Sequence, residues 1–128
     1  MKQSKSEIAK SYFEEAKKKF KNAKSLLEDC YYDDAARNAY YSMFHAAKAL
    51  LALKDVEPKT HHGVISELQR LYVNTKELDQ PYASSLARDL QVRIRSDYGV
   101  LVDTTKEMAE ESVKDAKAFI EAAKRFFL

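Results

Sequence analysis

Glycine and proline are almost missing from this chain: of its 128 residues, two are Gly and two are Pro. Phosphate-cradling loops need several glycines at a helix start, and tight sheet turns need them as well, so Gly63 and Gly99 alone cannot build either. Cysteine occurs once, which excludes an internal disulfide and any cysteine-rich zinc site. In a reducing compartment Cys30 is expected to be a small core residue. No apolar run approaches the roughly 18 residues of a membrane span. The residues after Met1 lead into no apolar signal segment, and the expected compartment is the cytoplasm. Neither sign of charge dominates, with 22 basic against 20 acidic residues and a formal net charge of +2. A domain that grips nucleic acid through bulk charge usually has a pI above about 9; here it is near 8.5, so any such contact must be local. There is no Gly-x-Ser-x-Gly elbow and no His-Glu-x-x-His helix, which sets aside two further catalytic solutions.

What the chain does have is helix formers. Ala, Leu, Lys and Glu are abundant, and hydrophobic residues make up 45% of the chain, enough for one core. The expectation is a single all-α domain over residues 1–128. Ile8, Tyr12, Ala16, Phe20, Ala23, Leu27 and Cys30 recur at spacings of three and four, which predicts a first helix from Ser6 to about Cys30. Lys17, Lys21 and Lys24 form a basic stripe on it, mixed with Glu14 and Glu15 and read as a solvated face. An Asp of Tyr31-Tyr32-Asp33-Asp34 is expected to cap a second, most buried helix, Ala35 to about Leu53. Its apolar face is rich in alanine, which lets a neighbour approach closely.

Pro58 marks a loop, after which Thr60 is suited to cap a short helix carrying Val64, Leu68 and Tyr72. Asp79 is expected to cap a fourth helix with Pro81 in its first turn and Gly99 as its stop. Thr104 and Glu107 have capping-box spacing ahead of a fifth helix that runs to the chain end. Long helices with short breaks predict an up-and-down four-helix bundle with one additional short helix.

The residues with chemistry are few. His61 and His62, adjacent on a helix, point about 100° apart and cannot share one metal; no metal or cofactor is expected. His45 follows Phe44 on the buried helix and reads first as a satisfied core or interface imidazole. Arg93-Ile94-Arg95-Ser96-Asp97-Tyr98-Gly99 is the most unusual stretch. Arg93 and Asp97 share a helix face, where the plain reading is an exposed ion pair, yet the acid lies C-terminal to the base and faces the negative end of the helix. Helix stability alone would have reversed that order, which points to a functional or interface role.

Ala39-Tyr40-Tyr41-Ser42-Met43-Phe44-His45-Ala46-Ala47-Lys48-Ala49-Leu50-Leu51, then Lys59-Thr60-His61-His62-Gly63-Val64-Ile65, then the stretch from Arg93 to Gly99, resemble the three ordered motifs of HEPN domains. The likeness is greatest to a small stand-alone prokaryotic subfamily. The resemblance implies a helical bundle that forms a homodimer, often encoded beside a minimal nucleotidyltransferase as the toxin half of a toxin–antitoxin pair. Many HEPN proteins are metal-independent endoribonucleases with an Arg followed four to six residues later by His. Here Arg93 is followed at those distances by Asp97, Tyr98 and Gly99, and Arg95 by Gly99, Val100 and Leu101. Cleavage without a metal needs a group that moves a proton near neutral pH, which unperturbed Asp and Tyr do not.

The expected function is therefore a nucleotide- or RNA-binding module. Arg93 and Arg95 would contact phosphate, Asp97 would orient an Arg or a ribose hydroxyl, and Tyr41, His45 or Tyr98 would pack against a base. The enzymatic alternative takes His45 or His61 as acid or base, with Arg93 stabilising charge on the scissile phosphate. A third reading makes the same residues a dimerisation and docking face.

Overall fold

Ser4 opens the first helix by accepting a bond from the Glu7 amide at 3.1 Å. The computed structural model describes residues 4–97, 99 and 103–128. Among them are five α-helices and no strand: α1 (Lys5–Glu28), α2 (Tyr32–Leu53), α3 (His61–Leu68), α4 (Gln80–Asp97) and α5 (Lys106–Lys124). A π-turn, Gln69–Val73, continues α3, and a 3₁₀ turn, Arg125–Phe127, follows α5. None of these helices is long and apolar enough to cross a membrane.

The centre of the molecule is α2, against which every other α-helix packs, α1 most extensively and α5 next. The reason lies in its side chains. Ala35, Ala39, Ala46, Ala47 and Ala49 are fully buried, so backbones approach closely, while Tyr40, Met43, Leu50 and Leu51 fill the space left between them. Ser42, also fully buried, donates to the Ala16 carbonyl at 2.9 Å and ties α1 to α2. The long up-and-down helices and the short α3 are the arrangement that periodicity predicts.

Four local expectations are corrected. Cys30 is exposed, not a core residue, because it sits in the α1–α2 turn at φ 64° after α1 has already ended at Glu28. No Asp caps α2; Tyr31 stands at the cap without a side-chain bond, and Asp33 and Asp34 lie inside the first turn. Asp33 is instead drawn to Arg93 and to the Thr104 hydroxyl, at 3.4 and 2.9 Å. With Thr104 so engaged, the cap of α5 is Thr105, which accepts from the Met108 amide at 3.2 Å. Finally, Arg93 and Asp97 do not pair with each other: Arg93 reaches Asp33 and Asp97 reaches Arg37, at 3.8 Å, both across to α2.

Two other marks fall as read: Thr60 accepts from the Gly63 amide at 2.8 Å, and Gly99, two residues after the last residue of α4, has φ 77°. In the π-turn, fully buried Tyr72 donates its hydroxyl to the Leu50 carbonyl, and the Lys54 ammonium lies 4.0 Å from its ring centre. Burial and the charge of Glu77 push the Tyr72 phenol up to about 12.

Candidate functional site

Three elements converge on an open cleft of about 560 Å³: the middle of α2, the start of α3 and the last turns of α4. Tyr40, Tyr41, Lys59, His61, Arg93 and Asp97 line it. The placement follows from the chain. Thr60 fixes where α3 begins and so sets His61 at the rim, while the three-to-four spacing of Leu90, Arg93, Ile94 and Asp97 lays that face of α4 along the opposite wall.

Of the residues singled out in the sequence, Tyr41, His61, Arg93 and Asp97 meet in this cleft. His45 does not line it. It stands one turn beyond Tyr41 on α2, its Nδ1 2.9 Å from the Tyr41 carbonyl. A carbonyl only accepts, so that nitrogen carries a proton and Nε2 of the neutral ring holds the lone pair. Arg95 is exposed and lies outside the cleft, and Tyr98 falls outside the described residues. Arg93 is only 3% exposed. Its guanidinium is pulled toward Asp33, and its Nη1 has no partner among the described residues.

Asp33 anchors a set of charges around that arginine. Burial pushes its carboxyl up, but the Thr104 hydroxyl and the Arg93 and Arg37 charges outweigh this and hold it below the usual carboxylate range. Arg37 spans Asp33 and Asp97, at 3.6 and 3.8 Å, which joins the first turns of α2 to the end of α4.

Sequence reasoning missed the part played by Tyr40. This tyrosine is fully buried, and its hydroxyl lies 2.6 Å from His61 Nδ1. The His61 ring is stacked on Phe44, with centroids 4.3 Å apart and planes within 12°. Burial raises the Tyr40 phenol far above its ordinary value, helped by Tyr41 and the carboxylates of Asp89 and Asp97. The phenol therefore keeps its proton. It donates that proton to Nδ1, because a hydroxyl that accepted here would leave its own hydrogen unbonded in an apolar interior. Burial and the nearby Lys48 charge push the His61 imidazolium below its ordinary value, against the pull of Asp97.

His61 is thus a neutral ring near pH 7, with Nδ1 filled and a hydrogen on Nε2. In that tautomer it offers a donor and has no lone pair free to act as a base. The signal for it was present in the sequence as Tyr40 and His61 in two neighbouring motifs, but nothing in spacing joins residues 21 apart.

Comparison with known proteins gives a consistent result. The model of the HEPN domain matches residues 9–126. A protein of Methanocaldococcus jannaschii named "Putative toxin" is 34% identical over 93% of this chain and 88% of its own length. A second protein of that name and organism is 31% identical over 90% of the chain and 78% of its own length. A UPF0332 protein of Archaeoglobus fulgidus is 36% identical over 85% of the chain and 86% of its length. With nearly the whole helical bundle matched, the chain belongs to the HEPN domain family.

Proposed function

We propose that this is a toxin-like HEPN protein that binds a nucleotide or RNA in the α2–α3–α4 cleft, acting in the cytoplasm as a homodimer with a minimal nucleotidyltransferase partner. The names of the two Methanocaldococcus relatives support the toxin-like reading. Its chemistry rests on one observation, the 2.6 Å contact that presents His61 as a fixed donor. Beside it stands the Lys59 ammonium, and a fixed N–H donor with an ammonium next to it suits a phosphate oxygen. Tyr41 supplies a ring for a base and Asp97 an acceptor for a ribose hydroxyl. Arg93, tied to Asp33 and almost covered, holds the wall. Arg95 and Tyr98 would serve a ligand that extends past the end of α4.

The binding reading is favoured over the ribonuclease reading because His61 has no basic nitrogen available in its resting tautomer, while His45, whose Nε2 keeps a lone pair, does not line the cleft. Isothermal titration with mono- and dinucleotides and short RNA tests it. Saturable heat is expected, weakened at least tenfold in Lys59→Ala and His61→Ala. An absence of heat with every ligand would remove the proposal. RNA cut in the presence of chelator, and spared by the His45→Ala or His61→Ala variant, would replace it with the enzymatic reading.

A further inference from the structure

Away from the cleft, and sharing none of its lining residues, an open groove of about 630 Å³ runs between α1 and α5. Phe20 and Leu27 of α1 and Val113 of α5 form its apolar floor; the first two are half-buried and Val113 is 8% exposed. Phe20 and Leu27 are two turns apart, about 10 Å along the α1 axis. The Phe13 ring stacks on that of Phe127, with centroids 4.6 Å apart, so the two helices run antiparallel and the start of α5 lies beside the end of α1.

The rim is charged, and its charges are sorted. Glu28 and Glu110 stand where α1 ends and α5 begins, while Lys24, Lys114 and Lys117 stand further along, toward Phe20. All five side chains are exposed. Lys24 and Glu28, and likewise Glu110 and Lys114, are four apart on one helix, a spacing at which opposite charges ordinarily close. Elsewhere on α1 they do, Lys17 on Glu14 at 2.9 Å and Lys19 on Glu15 at 3.9 Å. The five rim groups form no ion pair among the described residues, and Glu111 beside them is drawn away to Arg88, at 3.4 Å. The groove therefore has an apolar floor, an acidic end and a basic end.

We infer that this groove receives one amphipathic helix of a partner protein, with its apolar stripe on the floor, carboxylates over Lys24, Lys114 and Lys117, and cations over Glu28 and Glu110. A helix with apolar residues at i, i+3 or i+4 and i+7 presents them over the same length as the floor, and its flanking turns bring charge to both ends. Three apolar residues fall well short of the roughly 800 Å² per partner that a lasting dimer interface buries, so the fit is to a single helix and not to a second copy of this chain. A nucleic-acid strand is disfavoured as well, because its phosphates would run past the two glutamates.

Fluorescence anisotropy with a designed peptide tests this on the full chain. The probe is a labelled helix of about 16 residues, long enough to hold helical structure, with a leucine stripe, two glutamates at one end, two lysines at the other and alanine between. Saturable binding is expected, with amide NMR shifts confined to residues 20–28 and 110–117. A peptide of the same composition with its leucines spread around the helix should bind at least tenfold more weakly. Lys114→Glu combined with Lys117→Glu should also cost at least tenfold, and a peptide whose glutamates are replaced by lysines should recover most of that loss. Lys59→Ala, in the cleft, should leave peptide binding within twofold, so the two sites fail independently. The inference is overturned if the striped peptide does not bind up to about 1 mM, if the dispersed peptide binds equally, if the shifts fall elsewhere, or if the charge variant is not rescued. It is overturned too if Phe20→Glu halves the mass measured by sedimentation, which would give the groove to a second copy, or if short RNA displaces the peptide. Should the double lysine variant not fold, the comparison of the two peptides decides by itself.

Discussion

Removing the Tyr40 hydroxyl is the smallest change that should alter the cleft. In Tyr40→Phe the neutral His61 ring loses the donor that favours it, so its pKa is expected to rise toward the ordinary histidine value, and stability should fall by about 1 kcal/mol. An NMR titration of the His61 ring protons would register the first effect and urea unfolding the second; an unmoved pKa would contradict the donor assignment. The same depressed pKa sets a sign for pH dependence. Because folded His61 binds its proton less readily than the unfolded chain does, its contribution is fully present above the unfolded histidine pKa and lost as pH falls through it toward the folded value. Thermal midpoints measured from pH 7.5 to 5 should therefore drop less in His61→Gln than in the parent. Asp89 has the opposite sign. Burial raises its carboxyl despite the nearby Arg88 charge, so stability is lost as pH rises through the folded value, and Asp89→Asn should be more stable than the parent at pH 7. Arg93 announced itself in the sequence through a charge order unfavourable to a helix. Asp89 did not stand out, although its place between Leu86 and Arg93 at three-to-four spacing puts it on the buried face of α4.

Helix limits were legible where one short-range bond decides them. Thr60 and Gly99 behave as their chemistry requires, and each carries a prediction. Thr60→Ala should cost about 1 kcal/mol and loosen the start of α3, with Thr60→Ser retaining most of the cap. At Gly99 a Cβ would meet nothing within 4 Å, so Gly99→Ala should lose only the cost of the left-handed backbone, about 1 kcal/mol. Chemical denaturation of these single variants measures both. Where the sequence reading went astray, a distant residue had claimed the local group. Asp33 and Thr104 each have the chemistry of a cap, but they bond to each other across 71 residues, and the capping passes to Thr105 or goes unmade at α2. Spacing along the chain carries no trace of that choice.

The bundle as a whole was readable because two periodicities agree: apolar residues every three or four positions, and breaks at intervals that return each helix alongside its predecessor. The alanine-rich face of α2 was equally plain, and it implies a strict fit. Ala46→Leu, at a fully buried position, should destabilise by about 1–3 kcal/mol through overpacking rather than gain from added apolar surface. Tertiary charge pairing was not readable, and the molecule depends on it at one point. Asp33 ties the first turn of α2 to α4 and to the segment before α5. Asp33→Ala should accordingly cost about 1–3 kcal/mol, discounted for its partial exposure, by stranding the covered Arg93 guanidinium; an unchanged denaturation midpoint would argue that the arginine is satisfied elsewhere. The π-turn at Gln69–Val73 bears on the same architecture. A π-turn holds one residue more than the regular spiral, and each residue is worth about 100° of rotation. Deleting a single position there would swing everything downstream by that angle, carrying Tyr72 off the Leu50 carbonyl and Lys54 off its ring. The surplus residue works as a phase adjuster between the cleft side of α3 and the connection to α4, and the chain should tolerate its loss less well than a substitution at any one of the five positions.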